Sequence, residues 1–405
     1  MQQNTDAYYH KTIDFRFWKQ GLQFRTSQQL FSAHAIDAGT KFLLRTIVEA
    51  AYPPPRRILD IGCGYGPLGL TLKSLHPASV VHLFDRDALA VEYTRQNVAL
   101  NELNDVEIYG GLGYDDVRRN DFDLIVCNIP DHAGDKVITY LLQEARYYLA
   151  PGGIVAIVVV TPLENLVEKI LSETPNARII LKRDQSHHIV FHYKFTDAKT
   201  PPPPTQNSLE RGIYHRDDIT MNFDKLEYEM QTANGLPEFD SLSYGSEMLI
   251  NSLDKVEGKE INHAAVLNPG QGHVAVALWK TMKPESITLI DRDLLALHYT
   301  QRNLILNGCS LNNISLLHQV SLGFSPDEKI DLFIGSLRED ENKDAHSLVL
   351  DQMSARLSGK GIILLVSNST AITRLADYIS SKGLLRIKAR ERRRGFSLLV
   401  IEHIK

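Results

Sequence analysis

Cysteine is scarce in this 405-residue chain: Cys63, Cys127 and Cys309 are the only three. Their odd number and scattered spacing exclude a disulfide framework and a thiolate metal site, and they read as reduced thiols. No metal is expected. Long apolar runs are missing as well, and the polar stretch Met1 to Thr12 has no apolar signal core. A membrane partner is therefore not expected, and the cytoplasm is the expected location. Nor is there an excess of positive charge. With a formal net charge of −5, any hold on nucleic acid has to come from local basic patches. What remains is an ordinary globular composition, 43% hydrophobic and 23% charged, in a chain longer than one core usually serves. Two domains are the expectation.

A repeat makes that expectation specific. The segment Asp85-Arg-Asp-Ala-Leu-Ala-Val-Glu-Tyr-Thr-Arg-Gln-Asn-Val-Ala-Leu-Asn101 matches Asp291-Arg-Asp-Leu-Leu-Ala-Leu-His-Tyr-Thr-Gln-Arg-Asn-Leu-Ile-Leu-Asn307 at 10 of 17 positions, 206 residues apart. The same offset pairs Gly39-Thr40 with Gly245-Ser246, and Gly64-x-Gly66 with Gly270-x-Gly272. After a slip of two residues, Gly153-Ile154 pairs with Gly361-Ile362. Chance does not hold one register over that length, so the chain is a tandem duplication. Thr200-Pro-Pro-Pro-Pro-Thr205 forms neither helix nor paired strand and reads as a semi-rigid spacer. The expected organisation is a first domain over 1–199, a Pro-rich linker over 200–209 and a second domain over 210–405.

Within each half, short apolar runs alternate with helical patterns. In the first half, 58–61, 80–84, 124–126 and 154–160 read as buried strands, and 88–100 and 136–149 as amphipathic helices. Such alternation predicts an α/β fold, a mostly parallel sheet with helices on both faces. The closing segments, 188–195 and 397–403, follow turns closely enough to pair as antiparallel edges.

Ligands of such sheets sit at the carboxyl ends of the strands. There the first copy carries Asp60-Ile-Gly62-Cys-Gly64-Tyr-Gly66-Pro67-Leu-Gly69. Glycines let a backbone turn sharply and approach a ligand. Gly64-x-Gly66-x-x-Gly69 also fits a dinucleotide fingerprint, but Asp60 would repel a pyrophosphate, the loop is longer than the dinucleotide turn, and a downstream Asn-x-Pro has no part in hydride transfer. A sulfonium and an ammonium, by contrast, attract Asp60. Asp85, 25 residues on, stands where a carboxylate accepts both ribose hydroxyls. Asp87 is better placed to cap the following helix. Gly110-Gly111-Leu112-Gly113 is the expected adenine contact.

The order Leu30-Phe31-Ser32, Ile36-Asp37-Ala38-Gly39-Thr40, Asp60-Ile-Gly-Cys-Gly-x-Gly, Asp85, then Asn128-Ile129-Pro130-Asp131-His132-Ala133-Gly134 resembles the methyltransferase small domain family. Its tandem members include the ribosomal RNA guanine N2-methyltransferases of the small-subunit methyltransferase C type. The resemblance implies two tandem class I methyltransferase (Rossmann-like) domains of seven strands with the last antiparallel, and S-adenosylmethionine as methyl donor. Residue by residue, it implies that Gly39 and Thr40 lie near the cofactor, that Asp60, Gly62, Gly64 and Gly66 form the methionine-binding loop, and that Asp85 is the ribose acid. Asn128 and Pro130 match the first and third positions of the Asn-Pro-Pro-aromatic motif, with Asn128 touching both cofactor and target. Ile129 replaces the first proline and Asp131 the aromatic.

The motif has a physical logic. An exocyclic amine is a poor nucleophile because its lone pair is delocalised into the ring. Accepting its two hydrogens with the Asn128 side-chain oxygen and the Ile129 carbonyl localises that pair toward the methyl donor, without a strong base. Asp131 has two readings: it receives a proton or orients a different amine, or it caps the next helix. His132 reads as a loop hydrogen-bonder.

In the second copy Asp60 becomes Val266, Gly62 becomes Asn268, Cys63 becomes Pro269, and Asn128-Ile-Pro-Asp becomes Ser336-Leu-Arg-Glu. Gly270, Gly272 and Asp291 survive, so a nucleoside is still expected to fit, but the copy reads as degenerate, structural or substrate-binding. In the family's tandem members it is the second copy that is catalytic; here the assignment is reversed. The second copy does hold the best basic patch. Lys382, Arg386, Lys388, Arg390, Arg392, Arg393 and Arg394 fall within thirteen residues on the hairpin into the last strand. They either neutralise phosphates or form a solvated hairpin paired with local acids. Lys388, Arg390, Arg392, Arg393 and Arg394, with Ile129, are the expected substrate contacts. His187 and His188, adjacent on the matching hairpin, point to opposite faces and do not make a metal site.

The expected function is S-adenosylmethionine-dependent methyl transfer to an amine nitrogen of a base in ribosomal or other structured RNA, by a monomer whose two copies pack as an internal pseudo-dimer. Methylation of a protein amide or a small molecule, and a non-catalytic RNA- or partner-binding protein with a vestigial pocket, remain open on sequence alone.

Overall fold

The computed structural model describes residues 6–196, 201–256, 258–322 and 329–404. The chain divides into two units, Tyr9–Tyr214 and His215–Lys405, the latter joined by the segment ending at Tyr8. The boundary thus falls later than the proline run. Pro201 to Pro204 have no regular structure, but residues 207–214 pack on the first unit. The Ser208 N–H donates to both Asp115 carboxylate oxygens at 2.9 and 3.0 Å, and Arg211 pairs with Glu144. Thr200 lies outside the described residues.

The first unit opens with a hairpin, β1 (Tyr9–Phe17) and β2 (Gln20–Ser27). Then follow α1 (Ala38–Glu49), β3 (Arg57–Ile61), α2 (Pro67–Leu75), β4 (Val80–Asp85), α3 (Ala88–Leu100), β5 (Val106–Gly110), β6 (Phe122–Asn128), α4 (Asp135–Glu144), β7 (Leu149–Val160), α5 (Glu164–Glu173), β8 (Ala177–Gln185) and β9 (His188–Phe195). The sheet order is β5-β4-β3-β6-β7-β9-β8, with β8 and β9 antiparallel to the strands beside them and the rest parallel. β9 is not the antiparallel edge that its position after a turn predicts. It is paired on both sides, and Ile189, Val190, Phe191 and Tyr193 are buried. A strand apolar on both faces belongs inside a sheet, and the polar β8 takes the edge. The expected helix over 136–149 stops at Glu144, because Leu149 pairs with Phe122 in the sheet.

The second unit repeats this plan. After the hairpin β10 (His215–Phe223) and β11 (Leu226–Ala233) come α6 (Tyr244–Asn251), β12 (His263–Leu267), α7 (His273–Met282), β13 (Ser286–Asp291), α8 (Leu294–Leu306) and β14 (Ile314–His318). β15 (Ile330–Ser336), α9 (Lys343–Arg356), β16 (Leu357–Asn368), α10 (Ser369–Lys382), β17 (Leu385–Arg393) and β18 (Phe396–His403) complete it. Its sheet runs β14-β13-β12-β15-β16-β18-β17. Strand residues alternate between two cores: Ala264, Val266, Leu332 and Ile334 face one layer, Ala265, Leu267 and Phe333 the other.

The structure explains why the repeat is sharpest where it is. Asn97 of α3 and Asn101, its C-cap, clasp the backbone of Arg25 and Gln23 in β2, with Asn97 Oδ1 accepting the Arg25 N–H at 2.7 Å. Asn303 and Asn307 clasp Gln231 and Glu229 of β11 in the same way. Asn97 also donates to the Tyr65 carbonyl at 2.9 Å, and Asn303 to that of Gln271 at 2.8 Å. One buried amide therefore ties the hairpin, the helix and the glycine loop together. An unsatisfied buried amide is expensive, so the asparagines persist in both copies.

Candidate functional site

In the first unit β3, β4 and β6 lie side by side, so their carboxyl ends bring three loops together. The loop after β3 turns through three left-handed glycines, Gly62, Gly64 and Gly66, at φ of 68°, 57° and 91°. A Cβ on Gly62 or Gly64 would meet nothing within 4 Å. Bare backbone facing open space leaves room for close approach. The loop is held from beneath: the Gly62 and Cys63 N–H groups donate to the Phe84 carbonyl at 3.0 Å, and Thr94 Oγ1 donates to the Gly64 carbonyl at 2.8 Å. Pro67 opens α2 as its missing N–H allows.

Two carboxylates flank this loop. Asp85 accepts the Gly64 N–H on one oxygen and the Asp87 N–H on the other, each at 2.9 Å. Burial, then the nearby Asp87 carboxylate, pushes its pKa up to about 6 against those two hydrogen bonds. Asp87 caps α3 through the Leu89 N–H, as its sequence position predicts. Asp60 is buried beneath the loop and accepts the Gly69 N–H at 2.8 Å. Burial pushes its pKa up to about 7. After β5, Gly113 turns left-handed against the Tyr140 ring and Leu112 is buried.

The third loop carries a clamp. Asp37 caps α1 by accepting the Thr40 N–H at 3.0 Å, and the same oxygen accepts Asn128 Nδ2 at 3.0 Å. Asn128 Nδ2 also lies 3.2 Å from Thr40 Oγ1. A carboxylate accepts only, so the amide nitrogen must face Asp37 and the Asn128 oxygen must face away, free for a ligand. The Ile129 N–H bonds the Val158 carbonyl at 3.0 Å, fixing the backbone just past Asn128. Thr40 belongs to this clamp, and Gly39 precedes it in the first turn of α1. Asp131 stands in solvent bonded to His132, and the N-cap of α4 is Gly134 rather than Asp131. Asp37 was not singled out from sequence; its place three residues before Thr40 is the capping spacing that signals it.

The second unit is built on the same loops and filled. Arg338, in the place of Pro130, pairs with Asp291 at 2.5 Å and donates to Asn268 at 3.2 Å; Asn268 in turn donates to the Ser336 carbonyl at 2.7 Å. These three replacements bond one another. A cavity of about 20 Å³ is left, lined by Tyr8, Asn268, Asp291, Arg292, Arg338 and Glu341 among others, room for about one water. The Arg338 guanidinium thus occupies Asp291, the carboxylate that a nucleoside, expected to fit from the surviving glycines, would need. The basic residues form a patch of their own in this unit. Arg394 and Gly395 turn left-handed between β17 and β18. Arg393 pairs with Glu247 at 2.8 Å, Arg390 donates to Thr373, and Arg394 meets the Tyr244 hydroxyl. Lys388 and Arg392 are exposed. Among the described residues no cluster of three or more His, Cys, Asp or Glu is placed for a metal, and no helix is long and apolar enough to cross a membrane.

Strand order, antiparallel closing strand, glycine loop and ribose-type acid together define two Rossmann-like methyltransferase folds in tandem. Residues 21–190 match the model of the methyltransferase small domain. A Bacillus subtilis protein, the uncharacterized YbxB, is 31% identical over 150 residues, 37% of this chain and 74% of its own. The chain belongs to the methyltransferase small domain family. Haemophilus influenzae ribosomal RNA small subunit methyltransferase C is 32% identical over 38% of this chain and 44% of its own. Shewanella pealeana ribosomal RNA large subunit methyltransferase G is 32% identical over 34% of this chain, which spans only 35% of that relative's length. Among solved structures, the T. thermophilus 16S rRNA N2 G1207 methyltransferase (RsmC) in complex with AdoMet and guanosine superposes over 98% of this chain and 99% of its own, with a TM-score of 0.67 at 16% identity.

Proposed function

We propose that the first unit binds S-adenosylmethionine and transfers its methyl group to an exocyclic amine of a base in ribosomal RNA. The observation that carries this reading is the orientation of Asn128, whose oxygen is turned outward by Asp37 and Thr40 beside the glycine cradle. Asp85 would take the ribose hydroxyls, the backbone of Gly62, Gly64 and Gly66 the methionine portion, and Asp60 would attract the cationic end from below. S-adenosylmethionine supplies a methyl on a sulfonium that leaves as a neutral thioether. The Asn128 oxygen and the Ile129 carbonyl accept the two amine hydrogens and aim the nitrogen lone pair, with Pro130 stiffening the turn behind them. Ribosomal RNA stands in the names of the relatives methyltransferase C and G, which supports an RNA substrate; we read the protein as a cytoplasmic monomer.

In the second unit Lys388, Arg390, Arg392, Arg393 and Arg394 would hold RNA phosphates. Labelled methyl transfer to stripped ribosomal RNA, beside protein and metabolite extracts, tests the substrate. Label in protein or metabolites alone defeats the RNA reading. Asp85→Ala is expected to abolish S-adenosylmethionine binding in calorimetry. An Asp131→Asn variant with unchanged turnover would take Asp131 out of the mechanism.

A further inference from the structure

Gly39 sits in the first turn of α1 with an ordinary helical φ, so no turn demands glycine there. A neighbouring ring does. A Cβ on Gly39 would stand 2.7 Å from His188 Cδ2 and 3.1 Å from His188 Nε2, and 2.9 Å from the Asp37 oxygen that holds Asn128. The imidazole and the clamp carboxylate thus crowd one point at the start of α1. The sheet register agrees: Asn128 pairs with Val158, Val158 with Val190, and Val160 with His188, so all share one face. On that face His192 meets Thr46 of α1 at 3.0 Å, so α1 covers it. His188 is half-buried.

The duplication supplies a control. At the matching places of the second unit stand Ser243 for Asp37, Ser246 for Thr40, Ser336 for Asn128 and Phe396 for His188. A Cβ on Gly245 would meet nothing nearer than 3.4 Å. The imidazole and the crowding are found only where the amide clamp is intact.

We propose that His188 accepts the proton released by methyl transfer; this rests on the amine reading above. Once methylated, the amine nitrogen carries a positive charge. One N–H proton passes to His188 Nε2, its bonding pair returning to nitrogen, and the half-exposed imidazolium passes the proton to water. Asp131, the other candidate, stands in solvent on its partner His132. Around the imidazole, Asp37 at the N-cap of α1 crowds the same point, and Arg45 of α1 donates to Gln185, the β8 partner of His188. β7 offers Val158 and Val160 on this face, and His187 lies in the turn.

His188→Phe keeps an aromatic ring that the matching site of the second unit already accommodates. In labelled transfer to ribosomal RNA, wild-type kcat is expected to rise with pH through the imidazole range. His188→Phe should lower kcat roughly 100-fold, leave KM within about threefold and lose that pH limb. Unchanged kcat with the limb retained, or a raised KM at unchanged kcat, overturns the assignment. Asn128→Ala separates the two claims. Full activity there defeats the amine reading and this step with it, whereas a dead Asn128→Ala beside a fully active His188→Phe defeats only the role of His188.

Discussion

Asp85 and Asp60 share one strain: each carboxyl is buried next to a bare glycine loop, and each titrates above the usual carboxylate range, near 6 and 7. The sign for ligand binding follows. Ribose hydroxyls donate to a carboxylate, so the ligand prefers ionised Asp85 and pulls its pKa down. S-adenosylmethionine affinity is therefore expected to hold above pH 7 and to fall, by about tenfold per pH unit, below 6. Calorimetry across pH 5 to 8 checks this, and a flat profile would separate Asp85 from the ligand. Folding has the opposite sign. A raised carboxyl pKa contributes stability that is present at low pH and is lost as pH rises from near 4 through 6 and 7, so the ligand-free first unit should lose that contribution toward neutrality. Some residue roles were legible in sequence. The capping of α3 by Asp87 follows from spacing, because a cap is a local contact. The partnership of Asp37 with Asn128 spans 91 positions, and no local pattern announces it.

At the scale of elements, the two copies make a paired test of α1 and α6. Gly39→Ala would drive a methyl into His188 and is expected to destabilise the protein by about 1–3 kcal/mol. Gly245→Ala has room and an ordinary helical backbone, and it should be neutral or stabilising by up to about 1 kcal/mol. Thermal unfolding of the two variants checks the contrast; equal effects would deny the crowding. The β17–β18 hairpin makes a different prediction. Changing Lys388, Arg392 and Arg394 together to glutamine should weaken RNA binding and lower the slope of log affinity against log salt by about 1 for each phosphate that is no longer neutralised. S-adenosylmethionine affinity should not move. An unchanged salt slope would leave the patch a solvated hairpin. Alternation of apolar runs made the parallel strands readable. The placement of β9 inside the sheet was not, because the partner across a strand is a long-range choice.

For the whole molecule, duplication followed by divergence predicts one nucleoside site per chain. Calorimetry is expected to return one S-adenosylmethionine per chain; two would mean that Arg338 yields its place. Arg338→Ala leaves Asp291 buried and unpaired, and the second unit should become less stable by about 2 kcal/mol, discounted because the guanidinium is partly exposed. It should not gain cofactor binding, since Val266 and Asn268 still replace the acid and the glycine.

The sequence by itself determined the duplication, the class of fold, the family and which copy keeps the glycines, the acids and Asn128, because each of these is written in residue types at short, regular spacing. Only the tertiary structure decided which way the Asn128 amide turns, what fills the second pocket and why Gly39 must be glycine. Those outcomes depend on side chains from distant segments meeting at one place, and spacing along a chain carries no record of such meetings.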